Sequence, residues 1–538
     1  MTGAADIKGI TEHLRKVLSD GRVDEALGMV ESLLAQLRAR NTELELQILK
    51  LRKHQFGQRS ERVDPDQLAL FLAQAQAESK EIDAAVKAIL DATAPGPETP
   101  IPAPKPRPRQ GHGRKQLPPH LPREEVILEP AAEEKICATC GGEKACIGYE
   151  RSEVLEFVPA TFKVIEYARA KCACRKCGEG VVIAPPAAKP IDGGLPGPGL
   201  LAHVLVSKYK DHLPLHRLSG IYARSGVDLK ASTLGDWVAA GTDGLEPIAR
   251  AIWRNALVAH LLQSDDTGIK VLDKDHPNGV KRGHLWVYLG DGKWCAFVYT
   301  PDWKGEWPQS FLAERKGWLQ VDGYAGYEDL FTREGATAIE VSCWAHARRG
   351  FVETLESGDL RAAIPVELIR RLYAIERDAT EAGEDHEARR DRRKREAPPI
   401  IAALGKWMAD TYNKEPPKSP LAKACYYAIA RWEGLKRFLE DGRLPLDNTA
   451  SERALRQVAV GRNNYLFAGS DQGGERAAIA YTVIGTCMLA GIDPLAYLTD
   501  VFQKLAAGWP HRRLDELLPT NWAAARAVEI AVVAPVAR

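Results

Sequence analysis

Apolar residues near the start of the chain fall at Leu27, Val30, Leu34, Leu37, Leu44, Ile48 and Leu51, in alternating steps of three and four, with Asn41 in the gap. That spacing predicts a coiled-coil seam with Leu27, Leu34, Asn41 and Ile48 at a positions. A lone asparagine at a is satisfied by its counterpart on a second helix, so the seam predicts an in-register homodimer; the alternative is an amphipathic helix packed on its own chain. The pattern is lost over 92–122, where proline recurs and no apolar stripe survives, which predicts an extended linker. Helical periodicity returns over 200–209 and from Pro214 to about Arg224; Gly226 breaks it, and Ser232 is placed to cap a third helix through about Ala240.

From residue 260 the period drops to two. Residues 260–273 read as a strand carrying Asp265 and Asp266, and GHLWVYLGDGKWCAFVYT reads as two strands joined at Asp291-Gly292. A fourth strand over 317–321 ends at Asp322-Gly323, and a fifth over 338–342 follows a helix. This order matches a ribonuclease-H-like domain, with one acid on strand one, a second just after strand four, and a third due from a late helix. Asp447 and Asn448 are good caps for a helix through SERALRQVAV, which puts Glu452 in its first turns and Arg456 on the same face at i+4. Asp447 is the competing third acid. Between strand five and Glu452, a helical insertion at about 355–440 carries the charged run HEARRDRRKRE, read either as a contact for nucleic-acid backbone or as an exposed, self-repelling face. Trp407 and Trp432 within it read as core residues.

Composition changes this picture in two places. Lys plus Arg (73) nearly cancels Asp plus Glu (72), so any nucleic-acid footprint is local. Its candidates are Arg107, Arg109 and Arg114 of the linker, suited to a minor groove, and Lys230 and Ser232 of the helix-turn-helix-like region, suited to a major groove. Of ten cysteines, Cys137, Cys140, Cys174 and Cys177 form two C-x-x-C-G knuckles, the spacing of a closed four-thiolate structural zinc site, with Cys146 and Cys172 as spare thiols. Clustered thiols, a charged start with no signal segment and the lack of a long apolar run predict a cytoplasmic protein with no membrane span. Asp265, Asp322 and Glu452 together suit two magnesium ions, with manganese as substitute, because two-metal phosphoryl chemistry needs bridging and terminal carboxylates.

The stretches FGQRSERVDPDQLALF, KYKDHLPLHRL, SDDTG, LQVDGYAGYEDL, CWAHARRGF and DNTASERALR through GRNNYLFAGSDQGGERAA, with the two knuckles, resemble the transposase of the Insertion Sequence 66 family. The resemblance implies a metal-dependent DDE transposase that cuts DNA and transfers strands, with Asp265, Asp322 and Glu452 in the catalytic positions. DNA ends and target DNA are its implied partners, with small accessory proteins of the same element. The chain departs from the family at Asp266, more often glutamate, and at Asn463, often lysine, which leaves Arg456 and Arg462 as the better phosphate-contacting candidates. His346 of CWAHARR follows strand five and is read either as approaching the scissile phosphate or as a structural residue capping its helix. The expected architecture is multidomain α+β: a coiled-coil region (1–91), the basic linker (92–122), a zinc ribbon-like domain (123–190), a helical DNA-binding region (191–258), a ribonuclease-H-like α/β catalytic core (259–480) and a helical C-terminal region (481–538). A catalytically inactive DNA-binding regulator and a structure-selective nuclease remain as alternatives.

Overall fold

The computed structural model describes residues 161–172 and 182–533 of the 538-residue chain. The coiled-coil seam, the linker arginines Arg107, Arg109 and Arg114, and the thiolates of Cys137, Cys140, Cys174 and Cys177 lie outside those residues. Chain contacts divide the described residues into a small unit (161–172, 182–187 and 219–230) and a large one (188–218 and 231–533). The small unit holds a two-residue antiparallel ladder, Lys171–Cys172 with Val182–Ile183, and an edge-to-face contact of Phe162 with Tyr222.

Helices α1 (Pro198–Tyr209), α2 (Leu215–Arg224) and α3 (Ala231–Leu257) precede the sheet. The third helix was expected to end near Ala240 with Ser232 as its cap; it begins at Ala231, so Ser232 lies inside it, and it continues through Pro247 to Leu257. A proline inside a helix costs about 3 kcal/mol. Here Leu234, Trp237, Leu245, Ile248 and Ile252 keep one buried stripe on both sides of Pro247, and that burial outweighs the lost hydrogen bond. Gly241 lets α1 approach closely, since a Cβ there would meet Leu205 at 3.1 Å.

The five-stranded sheet consists of β1 (Leu261–Leu272), β2 (Val280–Gly290), β3 (Trp294–Thr300), β4 (Gly317–Val321) and β5 (Ala338–Ser342), in the order β3-β2-β1-β4-β5. The strand bounds agree with those expected to within a residue, except that β2 begins at Val280, three residues before the expected Gly283. The tight β2–β3 turn follows from Asp291 and Gly292, both at positive φ (49° and 64°) as a type I′ hairpin requires. Antiparallel pairing of β1 with β2 runs from Leu262 to Leu272, whereas parallel pairing of β1 with β4 covers only Leu261 to Gln263. β4 and β5 pair in parallel along their whole length.

After β5 come α4 (Trp344–Glu356), α5 (Ala363–Glu381), α6 (His386–Tyr412), α7 (Pro420–Ala430), α8 (Thr449–Tyr465), α9 (Asp471–Leu489), α10 (Pro494–Ala506) and α11 (Pro519–Val533). One face of the sheet buries Leu262, Trp286, Tyr288, Leu319 and Val321. The inserted helices build their own core from Leu368, Leu372, Leu404 and Cys425, which continues into Trp344 and Phe351 of α4, with Trp407 and Trp432 packed against it as expected. Helix α9 covers the free edge of β3: the hydroxyls of Thr482 and Thr486 accept from Phe297 N and Cys295 N at 2.8 and 3.2 Å. Among the described residues no helix is long and apolar enough to cross a membrane.

The charged run at the start of α6 is not self-repelling, because several of its arginines are paired with acids of the same chain. Arg393 is buried, donating to both Glu376 oxygens at 2.6 and 2.7 Å and to the carbonyls of Phe438 and Asp441. Arg389 also reaches Glu376, and Arg392 bridges Glu384 and Glu396. Sequence spacing along α6 could show Glu396 at i+4 from Arg392, but not Glu376 of α5 or Glu384 of the turn before α6. Arg393→Ala is expected to destabilise the protein by about 3–5 kcal/mol in chemical denaturation, because Glu376 would lose its two shortest charged hydrogen bonds and keep only Arg389 at 3.3 Å, and the carbonyls of Phe438 and Asp441 would lose the Arg393 donor. Arg395→Ala, at an exposed position, should stay within about 0.5 kcal/mol of the parent.

Candidate active site

The site is built around β1. Side chains alternate along a strand. Gln263 donates to Gln320 Oε1 (2.7 Å) and to the Asp447 carbonyl (3.0 Å), and the Thr267 hydroxyl accepts from Arg462 of α8 at 2.7 Å. Asp265, between them at period two, therefore shares the face that meets α8. Parallel pairing with β4 has already ended at Gln263, and β4 itself stops at Val321, so Asp322 leaves the sheet beside the stretch of β1 that carries Asp265.

Three charges converge here. Burial pushes the Asp265 carboxyl up to about 7; the Asp266 N–H opposes that rise, and the carboxylates of Asp322, Asp266 and Glu452 add to it. Asp322 Oδ1 accepts from Tyr324 N at 3.0 Å, and its main-chain carbonyl accepts from the Tyr427 hydroxyl. The next carbonyl, Gly323, accepts from Arg431 at 2.7 Å. Glycine is needed there on two counts: φ is +91°, and a Cβ would stand 2.0 Å from the Arg431 guanidinium.

Glu452 lies in the first turn of α8, as expected, but its ionic partners are on α4: Arg349 at 3.4 Å and His346 at 3.7 Å. Arg456 is exposed further along α8. His346 faces the acids and does not cap its helix, whose N-cap position is Cys343. Burial and Arg349 hold the imidazole below its ordinary value, against the opposing pull of Asp322, Glu452 and Asp447, and its buried Nδ1 has no partner. Asp447 has both oxygens engaged, accepting from the Tyr373 hydroxyl (2.6 Å) and Thr449 N (3.0 Å). Asp447 thus holds the first N–H of α8 from the position before the N-cap, while Asn448 occupies the N-cap without a side-chain cap bond and donates inward to the Ser264 carbonyl at 3.4 Å. Arg462 donates to Thr267 and to the Gly268 carbonyl, tying α8 to β1. Lys230 and Ser232 are both exposed.

Several residues of the site were not singled out from sequence. Arg349 could have been, since it stands three residues after His346 on one helical face. Tyr427 and Arg431 come from the insertion, and only the folded chain carries them to Asp322. Asp266 serves a separate network on the opposite face of β1, accepting from His284 at 2.6 Å and from Trp303 at 3.0 Å.

Among the described residues no three His, Cys, Asp or Glu groups stand at the spacing of a metal cage. The chemistry of the set nevertheless fits a hard divalent cation: Asp265, Asp322 and Glu452 offer oxygen donors, and the repulsion carried by Asp265 is what such a cation relieves. Because Asp265 titrates above its ordinary 3.8, its ionisation opposes folding, with a cost that grows from about pH 4 and is complete above about pH 7. Without divalent metal, Asp265→Asn should therefore stabilise the fold at pH 8 by at most about 4 kcal/mol, seen as a higher melting temperature, and the gain should vanish towards pH 4. Thermal melts in chelator at pH 4, 6 and 8 measure it.

The comparisons with known proteins agree along the chain. A model described as "Transposase IS66 family" matches residues 193–476, more than half of the chain, and includes Asp265, Asp322, His346 and Glu452. A model of the zinc-finger binding domain of transposase IS66 matches 134–178, which contains all four knuckle cysteines. Models described as "Transposase C of IS166 homeodomain" and "IS66 C-terminal element" match 43–126 and 482–520. Relatives in Sinorhizobium fredii include the uncharacterized protein y4hP, 35% identical across 91% of this chain and 90% of its own length. The uncharacterized protein y4jD is 35% identical across 76% of this chain and 82% of its own length. With a family model spanning most of the large unit and a relative matched nearly end to end, the chain belongs to the IS66 family of transposases.

Proposed function

We propose that this protein is a DDE-type DNA transposase that cleaves element ends and joins them to target DNA, with Asp265, Asp322 and Glu452 as its catalytic carboxylates. The observation that carries the reading is the Asp265 carboxyl, raised by burial and by Asp322 and Glu452, three acids from remote segments whose charges act on one another. The sheet order β3-β2-β1-β4-β5, with an acid on β1 and another after β4, supports a ribonuclease-H-like core.

The three carboxylates would hold two magnesium ions, or manganese in their place, which when bound supply Lewis-acid stabilisation of charge on the attacking and leaving oxygens. The protein's own groups prepare that site. Arg349 and His346 hold Glu452 towards the other acids, Tyr427 and Arg431 fix the main chain at Asp322 and Gly323, and Arg462 keeps α8 against β1. His346, uncharged at neutral pH, has a lone pair with which to accept a proton beside the scissile phosphate. Hydrolysis at an element end frees a 3′ hydroxyl, which the same carboxylates can align for in-line attack on target DNA. Arg453 and Arg456, exposed on α8 beside Glu452, offer cations to the DNA backbone. Elsewhere, Cys137, Cys140, Cys174 and Cys177 would bind one structural zinc, the N-terminal seam would pair two chains, and Arg107, Arg109, Arg114, Lys230 and Ser232 would add DNA contacts. Such a dimer suits cutting two ends in one assembly, with accessory proteins of the same element as further partners in the cytoplasm.

A supercoiled donor carrying the element ends, incubated with magnesium and assayed for cleaved and joined products, tests the reading. Asp265→Asn, Asp322→Asn and Glu452→Gln should each lower both products by at least about 10³-fold while retaining end binding. Normal transposition by any one of them removes that residue from the catalytic set; cleavage without joining by the parent protein indicates a nuclease, and binding without cleavage a regulator. In binding titrations, Arg453→Gln and Arg456→Gln should each reduce the slope of log K against log salt by about 0.9, whereas Arg395→Gln in the ion-paired run should leave it unchanged.

A further inference from the structure

Asp266, adjacent in sequence to Asp265, has both carboxylate oxygens occupied: Oδ2 by His284 Nδ1 at 2.6 Å and Oδ1 by Trp303 Nε1 at 3.0 Å. The Trp303 ring stacks on His284 (centroids 5.7 Å apart, planes 14° apart) and on Tyr324 (4.6 Å, 21°). Tyr324 returns a hydrogen bond from its hydroxyl to the Trp303 carbonyl at 2.8 Å, and its main-chain N–H donates to Asp322 Oδ1 at 3.0 Å. At the other end of this chain of contacts, the Asp266 N–H donates to Asp265 Oδ1 at 2.8 Å. The loops that carry the two rings also touch directly, for a Cβ on Gly305 would lie 2.8 Å from the Cα of Gly326. An unbroken path of hydrogen bonds and stacked rings thus joins the carboxyl of Asp265 to that of Asp322, on the face of β1 opposite α8.

Trp303 nonetheless remains 51% exposed, so its place is held by these ring and hydrogen-bond contacts and not by burial. We propose that Trp303, fastened to β1 by Asp266 and stacked on His284 of β2, is a positioning residue that clamps the Asp322–Tyr327 loop and so sets the placement of Asp322 relative to Asp265. This rests on the assignment of those two acids in the transposase reading and deepens it. The clamp accounts for an acid beside Asp265 that takes no part in the carboxylate set: its charge is turned to the other face, where it orients an imidazole and an indole. It works through main chain and ring packing, and Trp303 touches no reacting atom.

The test compares Trp303→Ala and Trp303→Phe with the full-length parent in three readouts: hydrogen exchange of the 322–327 amides, binding of element-end DNA, and magnesium-dependent cleavage. Trp303→Ala should speed exchange at 322–327 while leaving the strand amides of β1 and β2 as in the parent. It should lower the cleavage rate at saturating DNA by about 10- to 100-fold, with the DNA dissociation constant within about twofold of the parent. Trp303→Phe, which keeps an aromatic ring over Tyr324, should recover most of both losses. Unchanged exchange at 322–327 in Trp303→Ala overturns the clamp, whatever happens to cleavage. A cleavage loss matched by an equal loss of DNA binding and not relieved by phenylalanine also overturns it, in favour of direct DNA contact. Faster exchange at 322–327 relieved by phenylalanine, in a parent protein that does not cleave, upholds the clamp and removes the transposase reading instead.

Discussion

The site depends on the unequal pairing of β1 on its two sides. Towards β2 the strand is hydrogen-bonded from Leu262 to Leu272, so its course and side-chain alternation are rigidly determined. Towards β4 it is paired only from Leu261 to Gln263. Beyond that point no strand pairs with this flank of β1 until Lys270 and Leu272 bond Ala468, and the gap between is where Asp265 stands, where Asp322 leaves β4, and where α8 arrives with Glu452. Two buried amides secure that arrival: Gln263 and Gln320 bond each other and donate to the carbonyls of Asp447 and Pro445, just before α8 begins. A shift of one residue in the β1 register would turn Asp265 to the other face and bring Asp266 towards α8.

Placing acids together in a partly buried cleft is unfavourable, and the surroundings are organised around that repulsion. Asp265 is left with its charge poorly compensated, Glu452 is paired with Arg349 and His346, and Asp322 is restrained mainly through its main chain, by Tyr427 and Arg431. Asp447 and Asp266, the other nearby acids, are each fully engaged elsewhere. The oxygens that remain free to meet a cation belong to the three residues from separate segments. Strain of this kind, retained at one place in an otherwise well-satisfied fold, is characteristic of functional sites.

The helical insertion has two roles in this arrangement. It forms its own core and pairs Arg393 with Glu376 of α5 and Arg392 with Glu384 and Glu396. It also sends Tyr427 and Arg431 of the segment around α7 to the loop after β4, where they bond the carbonyls of Asp322 and Gly323. An insertion that looks peripheral in sequence is thereby coupled to the acid cluster.

Local chemistry determined much of this protein from sequence alone. The five strands and the Asp291-Gly292 turn follow from period-two patterning and from the positive φ that only certain turn residues accept, and Glu452 follows from the caps that start α8. These are signals carried within a few residues of one another, where backbone sterics and short-range hydrogen bonds dominate. The length of α3 was not legible, because a proline and two glycines argue for an ending that a continuous buried stripe overrules. Nor were the partners of charge: Glu452 stood at i+4 from Arg456 and pairs with Arg349 and His346, Arg462 bonds Thr267 and the Gly268 carbonyl of β1, and Arg389, Arg392 and Arg393 of α6 meet Glu376 and Glu384 from outside their helix. Charges find partners across space at a few ångströms irrespective of sequence distance, so only the tertiary structure decided which of them remained available.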